Sequence, residues 1–428
     1  MSVNGMMFSI IVIIAIYFGF KYKKFFILSI FLLCFLGLFF QTLVFYPIFN
    51  SFSLLDLGLF GIFICSVINF LKERRKIDFL GIIIYLSIIL HLGLVIYGGV
   101  TYGLGTSYGE ARGTLYFLIV FSSLRSFLPE TKIDFTRLFR NILIIFLSTF
   151  AIRFILMFSG IVSVDQWASN ESGSNLPRMF NASQAFALLL CTFYFLNLNM
   201  KPKLIDKGII IVSILELFLS QQRTVLLCAI TAVAFTYLPS YIKRRPSYFY
   251  TLILTSLIIY IFVRIFGINP SIPAISEALS DTSTLNWRSE GWVILINNNN
   301  CDLLTKIIGS PYGVGWERIL PSLGQITYDP PHNYYIELYL RGGLVSLLLA
   351  LGVMISTMYK GLYYRPYSRA VVFLVTSMTV YFVTYSPNQS VGLFLGSIFI
   401  LTSDRKVYSK DSFSEVVKGD SSTRILLQ

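Results

Sequence analysis

Residues 79–98 read FLGIIIYLSIILHLGLVIYG, with no formal charge and only Ser87 and His91 as polar interruptions. A bilayer core about 30 Å thick needs roughly 20 such residues per helix, so this stretch reads as a membrane span. The pattern recurs at 5–20, 25–45, 52–71, 112–128, 138–160, 179–197, 207–220, 224–242, 249–267, 336–359, 367–386 and 388–402, thirteen spans in all. The first span has no basic residue before it, unlike a cleavable signal peptide, and is kept as a helix. The expected architecture is an all-α polytopic membrane protein: one transmembrane domain over 1–428, within the range of 12–14 helices. Composition agrees: 55% of the 428 residues are hydrophobic, 13% are charged, and the mean hydropathy is +0.72. That excludes an ordinary cytosolic enzyme, a disordered chain and a secreted disulfide scaffold.

The net charge of +13 is explained by topology. Lys and Arg alternate by connection: Lys21, Lys23 and Lys24; none in 46–51; then Lys72, Arg74, Arg75 and Lys76. The set Arg125, Lys132 and Arg137 follows, then Lys201 and Lys203, Lys243 to Arg245, Lys360 and Arg365, and the tail from Arg405. The positive-inside rule puts these in the cytoplasm, where they anchor helices and touch membrane lipid headgroups. No nucleic-acid partner is needed. The long segment 268–335 then faces outside, and the odd helix count puts the N-terminus there too.

Nine cations fall outside or in the outer halves of helices: Arg112, Arg153, Arg178, Arg223, Arg264, Arg288, Lys306, Arg318 and Arg341. Eight of the nine are Arg, although Lys is the majority on the cytoplasmic side. An Arg fork matches phosphate and carboxylate, whereas Lys is a point charge. Each one singly could snorkel or pair with a nearby acid; as a set they point to an outward-facing site for an anionic ligand.

Segment 268–335 is the longest polar stretch, and loops of that length usually carry function. It is expected to hold short helices, one starting at the caps Asp281 to Ser283, carrying Trp287, Arg288, Glu290 and Trp292 at the membrane surface, and ending in the Asn297 to Asn300 run. Of the two histidines, His91 lies deep in a span and reads as a hydrogen-bonded core residue. His332, in PPHNYYIE (330–337), is placed to meet an aqueous substrate as a general base, although a lone histidine is more often structural. Glu337 and Arg341 stand four apart, as a mutual ion pair would. Arg223, held in the tight Ser220–Thr224 turn, and Arg178 occupy corresponding outer depths. Cys301 alone is in an outer loop, so no external disulfide is expected. No Walker loop, dinucleotide fingerprint, HExxH, paired CxxC or GxSxG elbow is present, and no half-to-half repeat of transporter type is visible. Outside the cytoplasm a transfer reaction must use a donor already activated in the membrane, such as a polyprenyl-diphosphate sugar.

Four stretches in order, SQQRT (220–224), NWRSEGW (286–292), GSPYGVG (309–315) and PHNY (331–334) leading to Glu337 and Gly342–Gly343, resemble the O-antigen polymerase and O-antigen ligase superfamily of bacterial polytopic glycosyltransferases. The resemblance covers about residues 175–355. It implies a GT-C-like fold, no metal and no cofactor, and a site on the periplasmic side of the bacterial inner membrane. Arg223 and Arg288 would stabilise the diphosphate leaving group, and His332 would orient or deprotonate the acceptor hydroxyl. Arg178, Asn333, Tyr334, Glu337, Arg341 and Glu290 are the further substrate-binding candidates. Gln221–Gln222 departs from the small residue that commonly precedes the arginine in this family. The implied function is polymerisation of undecaprenyl-diphosphate-linked repeat units, with lipid-linked donor and acceptor as partners and a chain-length regulator expected. Alternatives are ligation of polymer to lipid A core and lipid-linked oligosaccharide flipping. The long outer loop and the outer position of the ionisable residues argue against the last.

Overall fold

The structure, a computed structural model, describes residues 23–40, 47–49, 52–72, 78–126, 134–161, 180–198, 202–220, 222–237, 283–299, 302–320, 324–363 and 368–403. The helices are α1 (Lys23–Phe39), α2 (Leu54–Lys72), α3 (Phe79–Tyr102), α4 (Leu104–Ser126), α5 (Phe135–Phe158), α6 (Ala182–Leu198), α7 (Leu204–Leu219) and α8 (Arg223–Tyr237). They continue with α9 (Ser283–Asn299), α10 (Leu303–Ile308), α11 (Tyr334–Tyr363), α12 (Ser368–Tyr381) and α13 (Gln389–Ser403). Two small antiparallel hairpins interrupt the helical pattern, β1 (Pro47–Phe49) with β2 (Phe52–Ser53) and β3 (Arg318–Leu320) with β4 (Gln325–Thr327). Four helices, α2, α3, α5 and the Tyr334–Tyr359 part of α11, are long and apolar enough to cross a membrane, and five more apolar helices are shorter. This is the make-up of an all-α membrane protein. The expected spans 5–20 and 249–267 lie outside the described residues.

The least apolar expected span, 112–128, turns out to be part of a helix whose second half is fully enclosed. α4 starts eight residues earlier than expected, at Leu104, and every residue from Thr114 to Leu124 is buried. It packs against α2, α3 and α13. A stretch walled by protein on all sides touches no lipid, so the Ser and Thr residues of 114–124 are tolerated where partners meet them. At the other extreme, α5 and α7 turn Ile144, Ile145, Ile152, Phe154, Ile155, Ile211, Leu215 and Phe218 outward, as lipid-facing helices do. Helix association within lipid depends on close packing. Here it runs through aromatic pairs such as Phe193–Phe373 (3.4 Å, 8°) and Phe186–Tyr381 (4.0 Å, 14°).

The bundle has two chemically different ends. At one, Arg125 pairs with Asp78 and Arg140 Nε lies 3.3 Å from Asp206, near Lys72, Arg137 and Lys203. At the other, residues 309–316 do not drape over the helices but insert among α3, α4 and α11. Three glycines make the insertion possible. A Cβ on Gly98 would run into the Tyr312 carbonyl, one on Gly309 would meet the Arg341 carbonyl at 2.5 Å, and one on Gly343 would strike the Ile307 carbonyl. Gly343 (φ 61°, ψ −162°) also breaks α11 into a short outer piece and a long shaft, in a backbone region open essentially only to glycine.

The close approach at Gly98 predicts that Gly98→Ala costs about 1–3 kcal/mol, read as a lowered melting temperature in detergent with faster proteolysis of the 302–333 segment. Gly93→Ala on the same helix, with nothing within 4 Å of the new methyl, should leave both unchanged or slightly improved.

Candidate functional site

The inserted loop is held by three polar anchors, each from a different helix. Glu110 on α4 accepts the Gly313 N–H at 2.5 Å and binds the Arg341 guanidinium. Arg341 on α11 also donates to the Gly315 carbonyl at 2.6 Å and lies 3.9 Å above the Trp316 ring. His91 on α3 meets the Tyr312 hydroxyl at Nδ1 (2.8 Å) and the Ser346 hydroxyl at Nε2 (3.0 Å). The expectation for His91, a buried and hydrogen-bonded core residue, matches its 2% exposure. The expected Glu337–Arg341 pair is corrected: Arg341 turns to Glu110, and Glu337 instead accepts from the Ser386 hydroxyl. The helical i,i+4 geometry was available, but Glu110 offers Arg341 a nearly dry partner, both side chains being under 10% exposed.

Outside this plug, α9 docks through Leu295 on a small cluster with Trp316 and Leu340. Its Gly291 faces Arg318, whose Nη1 donates to the Trp316 and Asp329 carbonyls at 2.9 and 2.8 Å. Burial lowers the Arg318 pKa from the usual arginine value, against the opposing pull of Asp329. Ahead of α10, Asp302 accepts the Thr305 N–H at 2.6 Å as an N-cap, a bond that holds its carboxyl below the usual range. α9 ends at Asn299, as the Asn run implied.

Trp292 lies one turn beyond Arg288 on α9, and its Nε1–H donates to the Pro331 carbonyl at 2.5 Å. This tryptophan anchors the loop by pinning the peptide that precedes His332. On the far side, Asn333 Oδ1 accepts the Ile336 N–H at 3.2 Å and caps α11, and the Tyr334 N–H donates to the Phe382 carbonyl at 2.8 Å. Between these fixed points His332 takes φ +51°, the one positive-φ non-glycine residue among those described, with its side chain half-buried. Left-handed backbone at a non-glycine costs on the order of 1 kcal/mol or more and persists only where its surroundings enforce it.

The other expected site residues separate into groups. Arg288 and Glu290 are half-buried on α9, joined to His332 through Trp292 and Pro331. Arg223 is exposed at the start of α8, and Gln222 beside it donates from Nε2 to the Phe180 carbonyl at 3.0 Å. α8 runs along α12, whose end reaches Tyr334 through Phe382, so Arg223 arrives at the loop end by a different path from Arg288. Asn333, Tyr334, Glu337 and Arg341 are buried, at 7%, 2%, 6% and 3% exposure, in the interactions just described. They build the walls. Arg178, like Arg264, lies outside the described residues. The sequence reading passed over Glu110 and Asp56 and took Tyr312 only as part of the GSPYGVG stretch; the two acids are carboxylates in helices that face the bundle interior, and that placement alone marks them as paired or functional.

Comparison with protein-family models gave no match, and no curated protein proved similar to this chain.

Removing one partner of a buried ion pair leaves the other uncompensated, at about 3–5 kcal/mol. Glu110→Gln and Arg341→Met should each destabilise strongly, and the double variant less than their sum; melting temperatures of the three proteins check this.

Proposed function

We propose that this protein is a glycosyltransferase that polymerises lipid-linked oligosaccharide repeat units on the outer face of a bacterial inner membrane. The observation that carries the reading is the strained His332, held between the Trp292–Pro331 bond and the Asn333 cap on the same scaffold as Arg288. Strain enforced at a partly exposed histidine, on a scaffold that also carries an arginine, fits a residue placed for chemistry. The loop end, opposite the Lys- and Arg-rich end, is the outward face by the positive-inside rule.

In this reading an undecaprenyl-diphosphate-linked glycan is the donor and a second lipid-linked unit the acceptor. The acceptor hydroxyl oxygen attacks the donor's anomeric carbon and its proton passes to the His332 imidazole. The bond from that carbon to the diphosphate oxygen breaks, and the departing diphosphate keeps the electron pair. Arg288 and Arg223, with Arg178, would meet the charge growing on that oxygen. Electrostatic donors of this kind are commonly worth 10²–10³ in rate, and a positioned base about 10²–10⁴. The buried Asn333, Tyr334, Glu337 and Arg341 fix the shape of the site, while Glu290 stands next to the glycan path. The family motifs, the outward arginines and the lack of nucleotide-binding signatures support the same reading.

Arg288→Ala and His332→Ala should each abolish elongation of purified lipid-linked repeat units while the protein still inserts. His332→Gly relieves the left-handed strain, so it should fold with unchanged or higher melting temperature and still fail to elongate; near-normal polymer from it would refute the assignment. Ligation of preformed polymer to lipid A core, without elongation, would mark a ligase instead.

A further inference from the structure

A second polar cluster lies at the loop end, away from the inserted loop. Asp56, in the first turn of α2, is fully buried. Its Oδ2 accepts the Ser53 N–H at 2.5 Å and the Ser53 hydroxyl at 2.7 Å, and its Oδ1 accepts the hydroxyls of Tyr108 and Tyr116. These four donors match the roughly four lone-pair sites of a carboxylate. Arg112 comes as a fifth, its Nη2 3.3 Å from Oδ2, with its guanidinium 5.3 Å above the Tyr108 ring and its side chain 23% exposed. The Tyr108 ring in turn stacks on Phe52 at 4.7 Å. Asp56 is hydrogen-bonded without Arg112. What the cluster adds is direction: carboxylate and ring hold the guanidinium from two sides and leave part of the side chain exposed.

That position is beside the candidate site. A Cβ on Gly113, next to Arg112, would sit 2.8 Å from the Pro387 carbonyl. Five residues earlier on the same connection, the Phe382 carbonyl holds the Tyr334 N–H, and Ser386 binds Glu337. Fully extended, the chain from Phe382 to Pro387 covers at most about 18 Å. The residue after Arg112 therefore meets one end of this short segment, and Tyr334, two residues after His332, meets the other.

We propose that Arg112, oriented by the Asp56–Tyr108–Tyr116 cluster, is a second diphosphate-binding point, which holds the acceptor lipid's own diphosphate while its far sugar reaches His332. The inference rests on the polymerase reading. Elongation transfers the donor glycan to a hydroxyl of a unit that keeps its lipid diphosphate, so two diphosphates must be accommodated at once, one glycan apart. A planar fork fixed in advance suits that charge and loses little freedom on binding.

The test compares wild type with Asp56→Asn/Arg112→Gln, which removes both charges and leaves no buried ion unpaired, and with Arg112→Lys. Binding is measured in detergent with undecaprenyl diphosphate, with inorganic pyrophosphate, and with phosphatidylglycerol. Elongation is measured separately, varying acceptor and donor. The expected result is a tenfold or greater loss of undecaprenyl diphosphate affinity at one of two sites in the double variant, a raised KM for acceptor with little change for donor, and partial recovery in Arg112→Lys. A variant that folds, binds and elongates like wild type would overturn the proposal, reducing Arg112 to the counter-charge of Asp56. An equal loss for phosphatidylglycerol would overturn it too, as a general headgroup contact. If pyrophosphate alone reproduces the loss, the proposal stands with the diphosphate as the recognised group. If wild type elongates nothing, the polymerase reading fails and the acceptor role with it; if wild type elongates and the double variant is unimpaired, only the Arg112 site is lost.

Discussion

The Glu110 carboxylate and the Arg341 guanidinium, both taken out of water, bind each other and the inserted loop together. Glu110 takes the Gly313 amide and Arg341 takes the Gly315 carbonyl and the Trp316 ring, so the hydrogen-bonding capacity that the pair leaves over is filled by the seated loop. Two isolated charges in a low-dielectric bundle would be costly, and this ties α4, α11 and the loop into one unit. Much of the loop end is built outward from it. Trp316 supports α9 through Leu295, α9 carries Arg288 and Trp292, and Trp292 fixes the peptide before His332.

The helical frame was readable because apolar runs of bilayer length admit few other structures. Ends matched to within a few residues where a span was long and lipid-facing, as for 138–160 against Phe135–Phe158 and 52–71 against Leu54–Lys72. The reading was weakest for α4. Hydropathy marks residues suited to lipid, and the first half of α4 is polar (Thr106, Ser107, Glu110, Arg112), so it looked like connection. Both hairpins escaped notice, being only two or three residues per strand.

At the site, sequence located the right stretches but could not sort their contents. Nine outward cations looked alike; for four of them partners are now visible, Arg153 donating to Gln184 Oε1 at 3.2 Å over the Phe180 ring. Arg341 and Arg318 are tied into the loop, and Arg112 belongs to the Asp56 cluster. The choice between Glu337 and Glu110 as partner for Arg341 could not be read from helical spacing, because it depends on an approach between residues 231 positions apart. The GSPYGVG stretch was noticed as a motif, yet its physical reason, glycine permitting backbone to lie on backbone, appears only once Gly98 and Gly343 are seen opposite it.

The break at Gly343 has a mechanical meaning. The outer piece of α11, from Tyr334 to Gly342, abuts α10 and the loop so tightly that no Cβ fits between them, while the shaft beyond continues as an ordinary helix. With its peptide ladder interrupted, the rod transmits torque poorly at that level. The outer piece, α10 and the seated loop are thus coupled to one another more stiffly than to the shaft below, and a load applied at that surface would be borne by the cap before it reached the shaft.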